Sequence, residues 1–440
     1  MRQLKYRDAQ RVSHASLFAF VLVSGCSNDE GLAVDPTCQP AGANFPVCPG
    51  ETEDDRSFVD PTVEVINAEE VSLARKVYVG PFARLLAEAS AGIEIGEESN
   101  LQDNVTVQAR ASRDAQGTAA VTALGLGEND GVEVSERVIL AHGATVKGPA
   151  KIGVGGGDIP SDPDLDQEVF LSFGTEVDGA ILERNTGVSA LGRVGPGVTL
   201  RSGFIVLPGK NVTTQAEADD LALGKVRAIT EADVAFNEAV IEVNTAFARE
   251  YPRLYDEDPS DVLGISPDPG GTSFNHERNL PELAGVATRA PDFRNRIIGN
   301  VTMANTLEEL EGLMGDRVAI RADEGEPFTV GTITGMGSDV IFHALEETPI
   351  QIGNDVTYGN RVIIHGGGRR PLEGGASDEP TIIEDGVVLR DQAVVFRSLI
   401  GSGATIGTKS AIVSTDIAPG TTVPDRTIYV NNALFGPVEW

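Results

Sequence analysis

The chain has 440 residues, 41% of them hydrophobic but only 5% aromatic, with 50 glycines. That mix, rich in Val, Ile and Ala, favours turn-rich β architecture over a helical bundle, and the length predicts two or three domains. A formal net charge of −32, from 66 Asp and Glu against 34 Lys and Arg, excludes the basic footprint of a nucleic-acid binder and predicts a solvated, self-repelling surface.

Residues 1–25 read as a targeting signal. Arg2, Lys5, Arg7 and Arg11 form a basic start, and Ser16 to Val23 is an apolar stretch too short to span a bilayer as a helix. It ends in Val23-Ser24-Gly25-Cys26, which resembles a bacterial lipobox with Cys26 as the lipidated residue. Ser27 resembles the outer-membrane sorting signal, so the expectation is an exported outer-membrane lipoprotein, periplasmic or at the cell surface, with ordinary secretion as the alternative. Acyl chains would anchor it to the membrane without a transmembrane helix. Residues 26–57 read as a tether rich in Asp, Glu, Pro and Gly. In an oxidising compartment Cys38 and Cys48 are expected to form a disulfide; two unpaired thiols are the alternative.

After the tether, aliphatic residues recur every six positions: Ile95, Leu101 and Val107, then Leu140, Val146 and Ile152. The pattern returns in Ile352, Tyr358 and Ile364, in Ile383, Leu389 and Val395, and in Ile400, Ile406 and Ile412. Small or turn residues follow many of them, as in Ile352-Gly353-Asn354. Helical periodicity does not explain a spacing of six; stacked coils of a hexapeptide β-helix do, each aliphatic side chain filling the prism interior. The fold class expected is mainly β: two tandem left-handed parallel β-helix domains, with an α-helical segment after the first. Polar loops are expected at 109–131, 156–170 and 366–379. Gln215 to Tyr255, with apolar residues three and four apart, predicts an amphipathic helix packed on the prism. The domains are therefore drawn at 58–255 and 291–440, joined by a linker over 256–290.

Three of the five histidines, His142, His343 and His365, lie within these repeats. Their surroundings are Leu140-Ala-His-Gly, Val340-Ile-Phe-His-Ala-Leu-Glu346 and Asn354-Asp-Val-Thr-Tyr-Gly-Asn-Arg-Val-Ile-Ile-His-Gly366. With Ile320-Arg-Ala-Asp-Glu-Gly325 and Ser99-Asn-Leu-Gln-Asp103, these segments resemble gamma-class carbonic anhydrases of the archaeal type, in two copies. The resemblance covers about 58–255 and 291–440. It implies a trimeric β-helix assembly in which one subunit gives two metal histidines and its neighbour the third.

Each copy departs from that pattern. The C-terminal copy keeps His343, His365, Arg321, Asp323, Glu324 and the proton-shuttle position Glu346, but has Asn360 where the middle histidine belongs. The N-terminal copy keeps His142, Asn100, Gln102 and Asp103, with Gln108 and Lys147 in the other two histidine positions. Leu86 and Ala89 replace the family's arginine and glutamate, and Asn244 matches a pocket asparagine. The losses are complementary. If the N-terminal domain acts as neighbour to the C-terminal one, the resemblance implies one site of His142, His343 and His365 and a second interface with no histidine. It also implies Arg321 facing Asp103 beside Asp323 as interface ion pairs, and Gln102 and Glu324 on opposite sides of the activated water. Lys147 is expected as an ordinary exposed lysine, the alternative being a cation that rigidifies the histidine-free interface.

Three neutral imidazoles suit Zn2+, with Fe2+ or Co2+ as other possible occupants. The activity implied is reversible hydration of carbon dioxide to bicarbonate, by a homo-oligomer or pseudo-trimer. Two rival classes are a hexapeptide acyltransferase, whose cytosolic acyl donors an exported protein would lack, and a noncatalytic surface scaffold.

Overall fold

A computed structural model describes residues 47–48, 52–127, 129–156, 168–257, 265–267, 273–275, 280–282, 294–324, 327–345, 348–368 and 379–440. The expected targeting signal, Cys26, Cys38, the side chain of Cys48 and Glu346 lie outside the described residues. The described residues fall within one compact unit.

The six-residue repeat dictates the architecture. Short parallel strands stack coil on coil into two separate sets of three sheets, of nine, six and seven strands for residues 47–228 and nine, six and five for 265–437. The expected left-handed parallel β-helix fold is borne out. Every repeat aliphatic named above is buried inside its prism. One core cluster fills the N-terminal prism and another the C-terminal prism. Pairing is in register, so Ile139, Phe170, Gly187 and Ile205 form one ladder across neighbouring strands, with His343 beside His365 in another. Because strand side chains alternate faces, the inward residues make the core and the outward ones make the interfaces.

A third apolar cluster joins the prisms. Ile139, Ala141, Phe173 and Leu191 pack against Ile341, Ile363, Val394 and Ile428. A corner of the N-terminal prism presses onto the nine-stranded sheet of the C-terminal one. Gly143 sits at that corner with φ of 69°, and a Cβ there would meet Ile363 Cδ1 at 3.3 Å. Glycine satisfies both the left-handed turn and the close approach.

The helical segments differ from expectation in detail. The insert at 109–131 contains α1 (Ala115–Ala123), capped by Asp114, which accepts from Gly117 N at 2.7 Å. The predicted helix over Gln215 to Tyr255 is divided. A capping box of Thr214 and Glu217 starts the short α2 (Gln215–Asp219), and Gly224 at φ 66° ends the turn that follows. Val226–Ala228 then adds an antiparallel strand, and α3 runs over Glu231–Glu257. Thr230 and Asp233 exchange hydrogen bonds at its start, so local capping chemistry sets the boundary that periodicity missed. Helix α3 buries Phe247, Tyr251 and Leu254 against Phe58 and Tyr78 of the first prism and Ile298 of the second. Within the expected linker, Ile265–Pro267 pairs in parallel with Arg296–Gly299.

Glu439 and Trp440 cross back to the first prism. Glu439 accepts from Lys210 at 3.0 Å and Lys225 at 2.6 Å, and the Trp440 indole donates to Leu191 O at 2.6 Å. Among the described residues no helix is long and apolar enough to cross a membrane.

Candidate metal centre

His142 immediately precedes Gly143 at the docking corner, so the turn points it out of its own prism. His343 and His365 lie on adjacent outward positions of Ile341–Ala344 and Ile363–Gly366, one coil apart. Prism contact brings the three together, each 4% exposed or less. One nitrogen from each lies within 4.8 Å of the others. His142 Nε2 is 3.2 Å from His343 Nδ1, which is 3.4 Å from His365 Nε2. Tetrahedral ligands with zinc–nitrogen bonds of 2.0–2.1 Å stand about 3.3 Å apart. The spacing fits a metal.

The far side of each ring supports the same reading. His343 Nε2 donates to Asp323 Oδ1 at 3.2 Å, and His365 Nδ1 to Gly366 O at 2.6 Å. His142 Nδ1 lies 2.9 Å from Asp103 Oδ2, though not well aligned for a hydrogen bond. An acceptor behind each ring keeps the proton on the far nitrogen and leaves the lone pair facing the centre. Burial lowers the pKa of all three, and with the nearby Arg321 charge it brings His343 to about 4. Near neutral pH the rings are uncharged, as metal ligands must be.

One guanidinium organises the carboxylates behind two of the histidines. Arg321 donates through Nε and Nη2 to both oxygens of Asp103 at 2.9 Å, and through Nη1 to Asp323. All three side chains are buried. Burial alone would raise the carboxyl pKa values, but the Arg321 charge and the facing histidines more than offset it. Asp103 is held far below the usual range and Asp323 at about 2.

A cavity of about 100 Å³ opens beside the rings. Gln102, Glu324 and Asn244 supply its polar edge, while Phe173, Val240 and Leu345 are among its apolar walls. Glu324 Oε1 is 3.4 Å from His343 Nε2, and Asn244 Nδ2 donates to Val240 O at 2.8 Å. Asn100 is fully buried, its amide atoms lack hydrogen-bond partners, and it does not line this cavity. Of the three residues without a histidine, Asn360 is exposed and braces a turn, accepting from Ser338 N at 3.0 Å. Gln108 is half-buried. Lys147 departs from expectation: it is half-buried and paired with Glu176 at 2.7 Å, in a network that includes Arg193.

Sequence reasoning missed Tyr251, Phe173 and Phe396. Phe173 and Phe396 flank His365, with ring centroids 4.9 and 5.5 Å away. The Tyr251 hydroxyl donates to Asp323, opposite the oxygen that holds His343. Tyr251→Phe leaves that buried carboxylate one donor short. It is expected to cost about 1.5–3 kcal/mol in denaturant unfolding. Chelator competition should show metal retention weakened by roughly tenfold or more.

Comparison with known proteins fits this geometry. The chain is 30% identical over 205 residues to the carbonic anhydrase of Methanosarcina thermophila, covering 45% of this chain and 73% of that protein. A parallel β-helix protein with three convergent imidazoles is thus joined to a sequence relative, and the chain belongs to the gamma-class carbonic anhydrase family. No family model matches it. Similar solved structures include a hexapeptide transferase family protein from Anaplasma phagocytophilum, at TM-score 0.27 and 16% identity, covering 45% of this chain and 93% of that one. Another is the UDP-N-acetylglucosamine acyltransferase of Francisella novicida, at TM-score 0.13 and 10% identity over 85% and 66% of the two chains.

Proposed function

We propose that the protein catalyses metal-dependent reversible hydration of carbon dioxide to bicarbonate at one site shared by its two prisms. The observation that carries this reading is the convergence of three buried imidazole nitrogens, with an acceptor atom behind each ring. His142 Nε2, His343 Nδ1 and His365 Nε2 would hold the ion. Zn2+ is the first choice, and Fe2+ or Co2+ suit the same donors. A metal there supplies the Lewis acidity that makes a nucleophile of water near neutral pH.

The remaining residues bind, orient and move protons. Gln102 and Glu324 line the cavity and orient the attacking water, with the Glu324 carboxylate as its hydrogen-bond partner. Phe173, Val240 and Leu345 give carbon dioxide an apolar wall and exclude competing water. Glu346 is proposed to pass the proton to solvent. Export as a lipid-anchored protein, with Cys26 acylated and Cys38 bonded to Cys48, belongs to the same proposal, as does assembly into an oligomer.

The test is metal content by elemental analysis together with stopped-flow hydration of carbon dioxide, before and after reconstitution with Zn2+, Fe2+ or Co2+. Near-stoichiometric metal with hydration above background is expected. Protein that stays metal-free through reconstitution would be a scaffold, and the proposal would fail.

A further inference from the structure

Beside the metal pocket lies a larger cavity of about 330 Å³. Phe170, Gly187 and Ile205 of the first prism form one wall, and Phe396, Val413 and Val430 of the second form the other. Phe236 on α3 closes the third side. Phe170, Phe173 and Phe236 line both cavities, so the two share a wall of aromatic rings. Phe170 and Phe236 meet edge to face, with centroids 5.6 Å apart.

The room in this chamber has a specific origin. In the ladder Ile139, Phe170, Gly187, Ile205, only the third residue lacks a side chain. Its absence leaves a notch between a phenylalanine and an isoleucine. A Cβ on Gly187 would stand 3.3 Å from Ile205 Cγ1 and 3.3 Å from Phe170 O. Alanine therefore fits with a small adjustment, whereas valine would project its methyl groups into the chamber. Charge stays at the lining's polar part: Arg227 pairs with Asp233 through two bonds of 2.7 Å, and the Arg397 guanidinium lies 4.8 Å from the Phe396 ring centroid.

Apolar walls hold water poorly and accept uncharged, nonpolar molecules. Of the arginines in the lining, Arg227 is engaged by Asp233 and Arg397 lies over the Phe396 ring, so the aromatic and aliphatic walls favour an uncharged guest over a hydrated ion. We infer that this chamber binds uncharged carbon dioxide and feeds it through the shared phenylalanine wall into the metal pocket. The inference rests on the proposed activity, and it assigns Gly187 as the residue that keeps the chamber open.

Crystals of the metal-loaded protein pressurised with xenon read the chamber directly, because xenon occupies apolar cavities independently of catalysis. Xenon is expected against Phe170, Gly187 and Ile205 in the wild type, and absent in Gly187→Val. In stopped-flow assays kcat/KM for carbon dioxide should fall by roughly fivefold or more in Gly187→Val and by less in Gly187→Ala. Both variants should keep their metal and their kcat in saturating buffer, since a lost access route is felt before the chemical step. Unchanged kcat/KM across the two variants, or no xenon in the wild type, overturns the chamber. If Gly187→Val does not fold, Gly187→Ala and the wild-type xenon site decide the matter. A fully metallated wild type without hydration activity would instead overturn the proposed function, a result the xenon measurement cannot mimic.

Discussion

Replacing His142 with alanine is expected to strip the metal and abolish hydration as completely as replacing His343 or His365. His142 belongs to the other prism and stands 201 residues from His343 in the chain, yet its Nε2 lies 3.2 Å from His343 Nδ1. Removing one of three convergent donors leaves two protein ligands, fewer than a catalytic zinc site uses. The loss of affinity should exceed the roughly 10–100-fold typical of outer-shell changes. Elemental analysis after dialysis against a chelator, paired with the hydration rate, measures it. Retention of metal by His142→Ala, with loss in His343→Ala, would sink the shared-site proposal and leave a site confined to the second prism.

The second large effect is expected at Arg321. Arg321→Met removes the guanidinium that bonds both Asp103 and Asp323 and leaves two buried carboxylates without it. Breaking a buried ion pair from one side costs about 3–5 kcal/mol, read here as a shift in the denaturant midpoint. Arg321→Lys should fall between, because an ammonium keeps the charge but not the fork that reaches both carboxylates. The sign of the pH dependence follows from the depressed carboxyl pKa values. In the folded wild type Asp323 titrates at about 2 and Asp103 lower than usual, so their contribution is present above the ordinary carboxylate pKa. It is lost as pH falls through the folded-state values. Acid unfolding in the range between pH 4 and 2 should therefore be blunted in Arg321→Met, whose carboxylates have little pairing left to lose. An unchanged midpoint in Arg321→Met would refute this account.

Much of the site was legible because the repeat ties sequence distance to spatial position. A residue every six positions in the core places its neighbours on the outer faces, so His343 and His365 fall on adjacent coils. The complementary pattern of retained histidines is itself a sequence signal for contact between the prisms. What stayed hidden depends on contacts without a local signature. Tyr251 reads as one more apolar-face residue of an amphipathic helix, and its bond to Asp323 exists only because α3 spans both prisms. Phe173, in the turn after Val169–Leu171, and Phe396, on a strand of the other prism, meet with centroids 5.3 Å apart. The Trp440 bond to Leu191 joins residues 249 apart. The start of α3 was missed for a different reason: capping by Thr230 and Asp233 overrode a continuous apolar pattern.

The docking of His142 onto His343 and His365 within one chain has a consequence for behaviour at low concentration. A centre assembled from separate molecules falls apart on dilution, because its formation obeys mass action. Here the two halves are held on a single polypeptide, so their encounter is unimolecular and their effective concentration is set by the connecting segment. Occupancy of the proposed centre should then depend on the supply of metal ion and not on how much protein is present.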